Sequence, residues 1–175
     1  ELGLNIMLNE HHQTTTCMDV SLNMTGAVLA RRTKQAKILL MGNQIPLRDN
    51  PIRVAEEVAY LDYLSGGRVL SGFVRGVGAD IHPSNTHPYY NYDRFYEAHD
   101  LIVKAWTEGK PFNWEGKFFH YRYVNAWPRP YQQPNPPIWI PTQGSGETID
   151  WVAEKHYTIL QTFSSTANIG KGLGE

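Results

Sequence analysis

The sequence predicts an α/β fold built on a parallel sheet, from three observations. Through about residue 75 the chain alternates strand, helix, strand, helix and strand with short connections. Parallel neighbours need such crossover helices, whereas antiparallel ones can be joined by a tight turn. The alternation resumes near residue 138, beyond a stretch of different character: residues 82–141 hold 9 of the 11 prolines and 15 of the 21 aromatic residues.

The first strand is expected at residues 4–8, Leu-Asn-Ile-Met-Leu, an apolar run that suits a buried strand and gives way to the polar segment from Glu10 onward. Over 21–33, Leu22, Gly26, Leu29 and Thr33 recur at helical spacing, and Arg31, Arg32 and Lys34 lie where cations complement the helix dipole. Residues 37–43 read as a second strand. The next helix is the best specified: Asn50 can cap it, Pro51 suits its first turn, Val54, Val58 and Leu61 form one apolar stripe, and Gly66-Gly67 ends it. Residues 68–74 read as a third strand. Within the proline-rich and aromatic region one helix is expected over 92–108, with Phe95, His99, Ile102 and Trp106 on one face and Gly109 as its stop. Residues 112–121 resemble a hairpin turning at Glu115-Gly116, and 127–137 is too rich in proline for helix or strand, so it reads as an extended excursion. Strand 138–140, helix 145–155 and strand 157–162 complete the series, before a Gly-rich end from residue 168 that reads as frayed.

Composition removes several classes of partner. Sixteen Lys and Arg against 17 Asp and Glu give a net charge of −1. That leaves no basic stripe for a nucleic-acid backbone and no basic amphipathic helix for an anionic membrane. No apolar run approaches the roughly 18 residues of a membrane span. The single cysteine, Cys17, excludes a disulfide framework and a multi-cysteine zinc site, so a reducing, cytoplasmic setting is expected.

Four strand ends carry polar groups on what should be one rim, the functional edge of an α/β barrel or open sheet. Glu10-His11-His12 follows the first strand; histidine there can act as acid, base or donor, or be a solvated loop residue. Asn43-Gln44, after the second, offers amides that can read a heterocycle's edge, or is a polar loop start. Arg75, beside Gly76 and Gly78, is a natural phosphate or carbonyl binder, or an ion-pair partner. The segment from Thr142 through Gly144, Ser145 and Gly146 to Thr148 joins strand to helix with free amides and hydroxyls, an anion site suited to phosphate, although Ser145 can equally be only a cap. It has neither the Walker nor the dinucleotide pattern.

These motifs occur in a telling order. Asn9-Glu10-His11-His12-Gln13-Thr14, Ala55-Glu56-Glu57 with Leu61-Asp62, Leu64-Ser65-Gly66-Gly67-Arg68, Gly72-Phe73-Val74-Arg75-Gly76, Trp127-Pro128-Arg129-Pro130 and Gly144-Ser145-Gly146-Glu147-Thr148 together resemble the bacterial luciferase-like flavin-dependent monooxygenases, over residues 2–162. The resemblance implies a TIM barrel of eight strand-helix units. It also implies reduced FMN as cosubstrate, oxygenation of a small organic substrate by O2 through a flavin hydroperoxide, a separate flavin reductase and a homo-oligomeric parent. It gives His11 the place of the active-site histidine with Glu10 and His12 beside it. Arg75 takes the flavin and phosphate contact, and Ser145 and Thr148 take the phosphate hydroxyls. Val74 stands where the luciferases proper often have a reactive cysteine, which leaves light emission without support. Some relatives use a 5-deazaflavin and transfer hydride instead. A non-catalytic flavin-binding or assembly protein and a metal hydrolase using His11 and His12 are the other readings; the residues supply no clear third metal ligand.

Within this fold, residues 82–136 read as an insertion and excursion, expected to cover the flavin or build the substrate pocket, or else to form a satellite core or dimer surface. A complete barrel takes about 250 residues. With 175 residues and about five barrel strands, the chain reads as a single partial barrel running from near the family's second strand to near its sixth.

Overall fold

The computed structural model describes residues 3–15 and 17–161. Leu2, Thr16, Thr162 and the expected Gly-rich end lie outside the described residues. Five parallel strands form one sheet in the order β1-β2-β3-β6-β7: β1 Ile6–Leu8, β2 Ile38–Gln44, β3 Val69–Val74, β6 Ile138–Thr142 and β7 Thr158–Gln161. Each barrel strand lies beside the next in the chain, with no reversal of order. That sequence of neighbours is the arc of an α/β barrel; a doubly wound sheet would reverse direction at a switch point.

The intervening helices are α1 Leu22–Arg32, α2 Pro51–Ser65, the short α3 Gly78–Ile81, α4 Asn91–Thr107 and α5 Gly146–Glu154. Side chains alternate across each strand. In β3, Val69, Ser71 and Phe73 are buried, and Phe73 stacks on Trp106 of α4 with ring centroids 6.0 Å apart, so this set faces the helices. The main core lies between sheet and helices, where Leu40, Val58, Leu61, Leu101 and Ile102 are also buried. Burying each such side chain contributes about 1.5–3 kcal/mol.

Two glycines let β2 and β3 approach. A Cβ on Gly72 would sit 2.4 Å from the Leu40 carbonyl oxygen, and one on Gly42 would sit 2.6 Å from Val74 Cγ1. The register between the strands shifts between Leu40 and Asn43.

The helix ends show where the sequence reading holds and where it does not. Gly66 stops α2 at φ 67°, its N–H bonded to the Tyr63 carbonyl, as a left-handed cap requires. Asn50 stands at the N-terminal cap position of α2 but caps nothing with its side chain; its Oδ1 accepts from the Tyr121 hydroxyl at 2.9 Å. In α1, Leu22 and Gly26 of the expected set are buried and Leu29 packs partly buried against the same core, with Asn23 and Ala30 completing the buried face.

The expected insertion over 82–136 is narrower than its composition suggests. Phe95, Ala98, Leu101, Ile102, Ala105 and Trp106 put α4 in the common core, as the covering helix between β3 and β6. The true additions are the antiparallel pair β4 Phe112–Glu115 and β5 His120–Val124, and the proline-rich segment after it. Glu97 of α4 holds the hairpin turn. Its carboxylate accepts from the N–H groups of Lys117 (3.0 Å), Phe118 (2.9 Å) and Phe119 (2.9 Å) and from the Trp114 indole (3.2 Å). A Cβ at Gly116 would lie 1.8 Å from Glu97 Oε1, so a larger residue there would displace this carboxylate from the turn. The proline-rich segment is tied to α2 through buried Asp62, which accepts from the Gln132 N–H (2.8 Å) and side-chain amide (2.7 Å).

Candidate active site

The C-terminal ends of β1, β2, β3 and β6 carry the predicted rim residues, and two clusters form there. The first gathers around two buried carboxylates. Glu10 is only 2% exposed and accepts from His12 Nε2 (2.8 Å), from the Arg48 guanidinium and from the Leu22 N–H at the start of α1 (3.0 Å). The last contact places negative charge at a helix N-terminus, where the dipole favours it. Its oxygens are thus committed, and Glu10 anchors the rim rather than facing a reactant.

His11 turns to the other carboxylate. Its Nδ1 lies 3.1 Å from Oδ2 and 3.3 Å from Oδ1 of Asp80, which is 1% exposed. Asp80 also accepts from the N–H groups of His12 (3.2 Å) and Val77 (3.1 Å), the second closing back on its own short helix α3. Burial alone would raise the Asp80 carboxyl, but hydrogen bonds from Val77, His12, His11 and Gln44 outweigh it and hold it below the usual aspartate value. Adjacent histidines therefore serve different carboxylates. A cavity of about 370 Å³ opens here, lined among others by His12, Gln44, Arg48, Asp80 and Ser84. That is within the range of small-molecule sites, about 300–1,000 Å³.

Asn43 is placed differently from its expected role. It is fully buried and exchanges hydrogen bonds with Asn23 of α1 at 3.0 and 3.3 Å. Its amide links β2 to α1 and is not presented to a heterocycle. The amide that reaches the rim is Gln44, which donates to the Glu10 carbonyl oxygen at 2.9 Å.

The second cluster joins β3 to α5. Arg75 and Thr148 line one narrow cleft with Val74, Tyr96 and Pro141. The Arg75 guanidinium lies 3.8 Å from the centre of the Tyr92 ring, and its Nη1 is buried without a hydrogen-bond partner. A buried charged donor without an acceptor is costly and is the kind of orphan an anion relieves. Asn91, at the start of α4, donates to the Arg75 carbonyl oxygen at 3.0 Å and fixes that backbone. Ser145 occupies the N-cap of α5 but makes no side-chain cap bond, so its hydroxyl is available. Gly144 stands before it at φ 100°, its N–H held by Thr142 Oγ1 at 3.1 Å. The cleft holds about 10 Å³, room for a water-sized group. That volume is too small for a ring system, and the donors that face it are the Arg75 guanidinium and Thr148. Tyr96 closes one side; burial first, and the neighbouring Glu147 carboxylate next, raise its hydroxyl above the usual tyrosine value.

Sequence reasoning missed Asp80, Arg48, Tyr92 and Tyr96. Asp80 had one local signal, a carboxylate three residues after the cap of a short helix. The others depend on contacts 17 to 51 residues away that no local pattern marks.

The profile of the luciferase-like monooxygenase family matches residues 2–171. The chain belongs to this family. Within it, the chain is 29% identical over 156 residues to the alkanal monooxygenase beta chain of Photorhabdus luminescens, covering 89% of this chain and 47% of that one. It is 27% identical over 150 residues to the oxygenase component of a flavin-dependent trigonelline monooxygenase from Acinetobacter baylyi, covering 77% and 38%. The chain thus spans less than half the length of these curated relatives. Among solved structures, the oxygenating constituent of 3,6-diketocamphane monooxygenase from Pseudomonas putida, in complex with FMN, superposes with a TM-score of 0.85 at 18% identity, covering 98% of this chain and 51% of that one. An F420-dependent secondary alcohol dehydrogenase with an F420-acetone adduct superposes with a TM-score of 0.77 at 16% identity, covering 97% and 55%. At these identities the superpositions establish the fold, a partial α/β barrel of the luciferase-like type. No described helix is long and apolar enough to cross a membrane.

Proposed function

We propose that this chain carries most of the flavin site of a cytoplasmic flavin-dependent monooxygenase that uses reduced FMN and O2 to oxygenate a small organic substrate. One observation carries the reading: the buried, unpartnered Nη1 of Arg75 shares a cleft with Thr148 at the N-terminus of α5. Guanidinium, hydroxyls and helix N–H groups form the donor set that a phosphate monoester takes. Arg75, Ser145 and Thr148 would hold the phosphate. When bound, reduced flavin supplies the electrons for oxygen activation.

The chain's own residues orient and shield. Arg75, stacked on Tyr92, fixes the phosphate end. His11, the half-exposed rim histidine, moves the proton, and the cavity beside His12 and Gln44 receives ring or substrate. Glu10 keeps β1, α1 and Arg48 in register around it. A separate reductase and a homo-oligomeric parent belong to the same reading.

The test is anaerobic titration with reduced FMN and, separately, with reduced 5-deazaflavin, followed by rapid mixing with oxygen. The reading expects tight binding of reduced FMN and a reoxidation rate different from that of free FMN. Preference for the deazaflavin, with no reaction on oxygen, would overturn it in favour of hydride transfer.

A further inference from the structure

The Asp80 carboxylate is the least expected feature of the rim. It is 1% exposed, lies 69 residues from His11 in the chain, and accepts from the backbone of Val77, the backbone of His12 and the His11 ring, with the Gln44 side chain as a further partner. Two of these are backbone groups at fixed positions, so the carboxylate cannot turn away from the imidazole without leaving buried donors unpaired. The hydrogen bonds that keep it ionised also make it an acceptor only, with no proton to offer Nδ1. A neutral imidazole facing an ionised carboxylate must present N–H there, which leaves the other nitrogen with the lone pair. No described residue hydrogen-bonds His11 Nε2, and the ring is 31% exposed.

We propose that Asp80 is the positioning residue for His11, holding the neutral ring as its Nδ1–H tautomer so that Nε2 is the nitrogen available to accept a proton. The inference rests on the reading of His11 as the residue that moves the proton. Asp80 touches no reactant in this arrangement; it acts through the ring, and it stabilises the imidazolium once Nε2 is protonated. The arrangement explains why Asp80 sits on a separate four-residue helix: α3 is capped by the same carboxylate, so the turn that follows β3 and the ring that follows β1 are locked to one another. The Arg75 end of the site and the His11 end are thereby held by one loop.

The tautomer can be read without flavin. Long-range 1H–15N spectra of the protein, at a pH where imidazoles are neutral, resolve its seven histidines, with His11 assigned by its disappearance in His11→Ala. The expected result is an Nδ1–H tautomer at His11 in the wild type, and a change to Nε2–H in Asp80→Ala with His99 unchanged. Asp80→Asn keeps the shape and covers the case in which the alanine variant does not fold. It removes the negative charge that faces Nδ1 and leaves one oxygen in place of two, so the Nδ1–H form is expected to lose population to Nε2–H. An Nε2–H tautomer in the wild type, or an unchanged His11 in both variants, overturns the proposal.

A second readout separates this from the functional reading. In the reoxidation of bound reduced FMN, Asp80→Asn should change the rate about as much as His11→Ala, on the order of 10²-fold, and should add nothing in the His11→Ala background. An equal additional effect in that background would overturn the positioning role. Failure to bind FMN would sink the functional reading and leave the tautomer result standing.

Discussion

His11 and His12 sit side by side, yet their rings meet different carboxylates, Asp80 and Glu10. His11 is the ring to remove first: His11→Ala should leave FMN affinity within about twofold and lower turnover about 10²-fold, read by fluorescence titration and rapid mixing. Unchanged turnover would remove its role. Asn43 makes the opposite prediction. Since it is buried against Asn23, Asn43→Ala should leave flavin affinity alone and cost about 1–3 kcal/mol of stability, through the Asn23 side-chain oxygen left without a donor on α1 while its NH2 keeps Glu57. At this scale the sequence shows residue type and strand end, and so Glu10, His11, His12, Arg75 and Thr148 could be picked out. It does not show which way a side chain turns. Asn43 faces the helix layer and Gln44 the rim, a difference of one position in a period-two strand. The pairing of Asp80 with His11 has no local signal, because the two lie 69 residues apart in the chain.

At the scale of elements, local chemistry reads well where the signal is local. The α2 boundaries follow from Pro51 and Gly66, and α4 from an apolar face at helical spacing. The proline and aromatic density of the middle region misled for a physical reason: composition does not distinguish a helix that packs on the sheet from an excursion that leaves it. The hairpin depends on Glu97, so Glu97→Ala should lower stability by about 2 kcal/mol and speed amide exchange at Phe118 and Phe119. Another contact ties α4 to β7: His99 Nε2 lies 2.9 Å from the hydroxyl of Tyr157, just before that strand. Burial, with the Asp100 carboxylate behind it, pushes that hydroxyl up to about 12 from 10.0. An acid raised in the fold stabilises while neutral, so the contribution is complete below about pH 10 and is lost as pH climbs towards 12. Thermal melts should therefore fall more steeply over that window in the wild type than in Tyr157→Phe. Parallel curves would show that the hydroxyl contributes no such linkage.

The whole molecule is an arc of consecutive parallel strands, and its order brings the four strand ends that carry the polar rim residues, those of β1, β2, β3 and β6, to one edge. That architecture was legible from alternation alone as a parallel α/β fold. Its closure into a barrel type was not, because periodicity is the same in barrels and open sheets; the ordered motifs carried that step. The edge where β3 meets α5 brings Arg75 and Thr148 into one cleft, with an unpartnered guanidinium nitrogen between strand and helix. The most direct test is calorimetric titration with FMN and with riboflavin, which lacks the phosphate. The account predicts FMN to bind about 100-fold more tightly, the worth of one or two charge-assisted hydrogen bonds, and Arg75→Ala to abolish most of that difference while leaving riboflavin unchanged. Equal affinity for the two flavins in the wild type would contradict it.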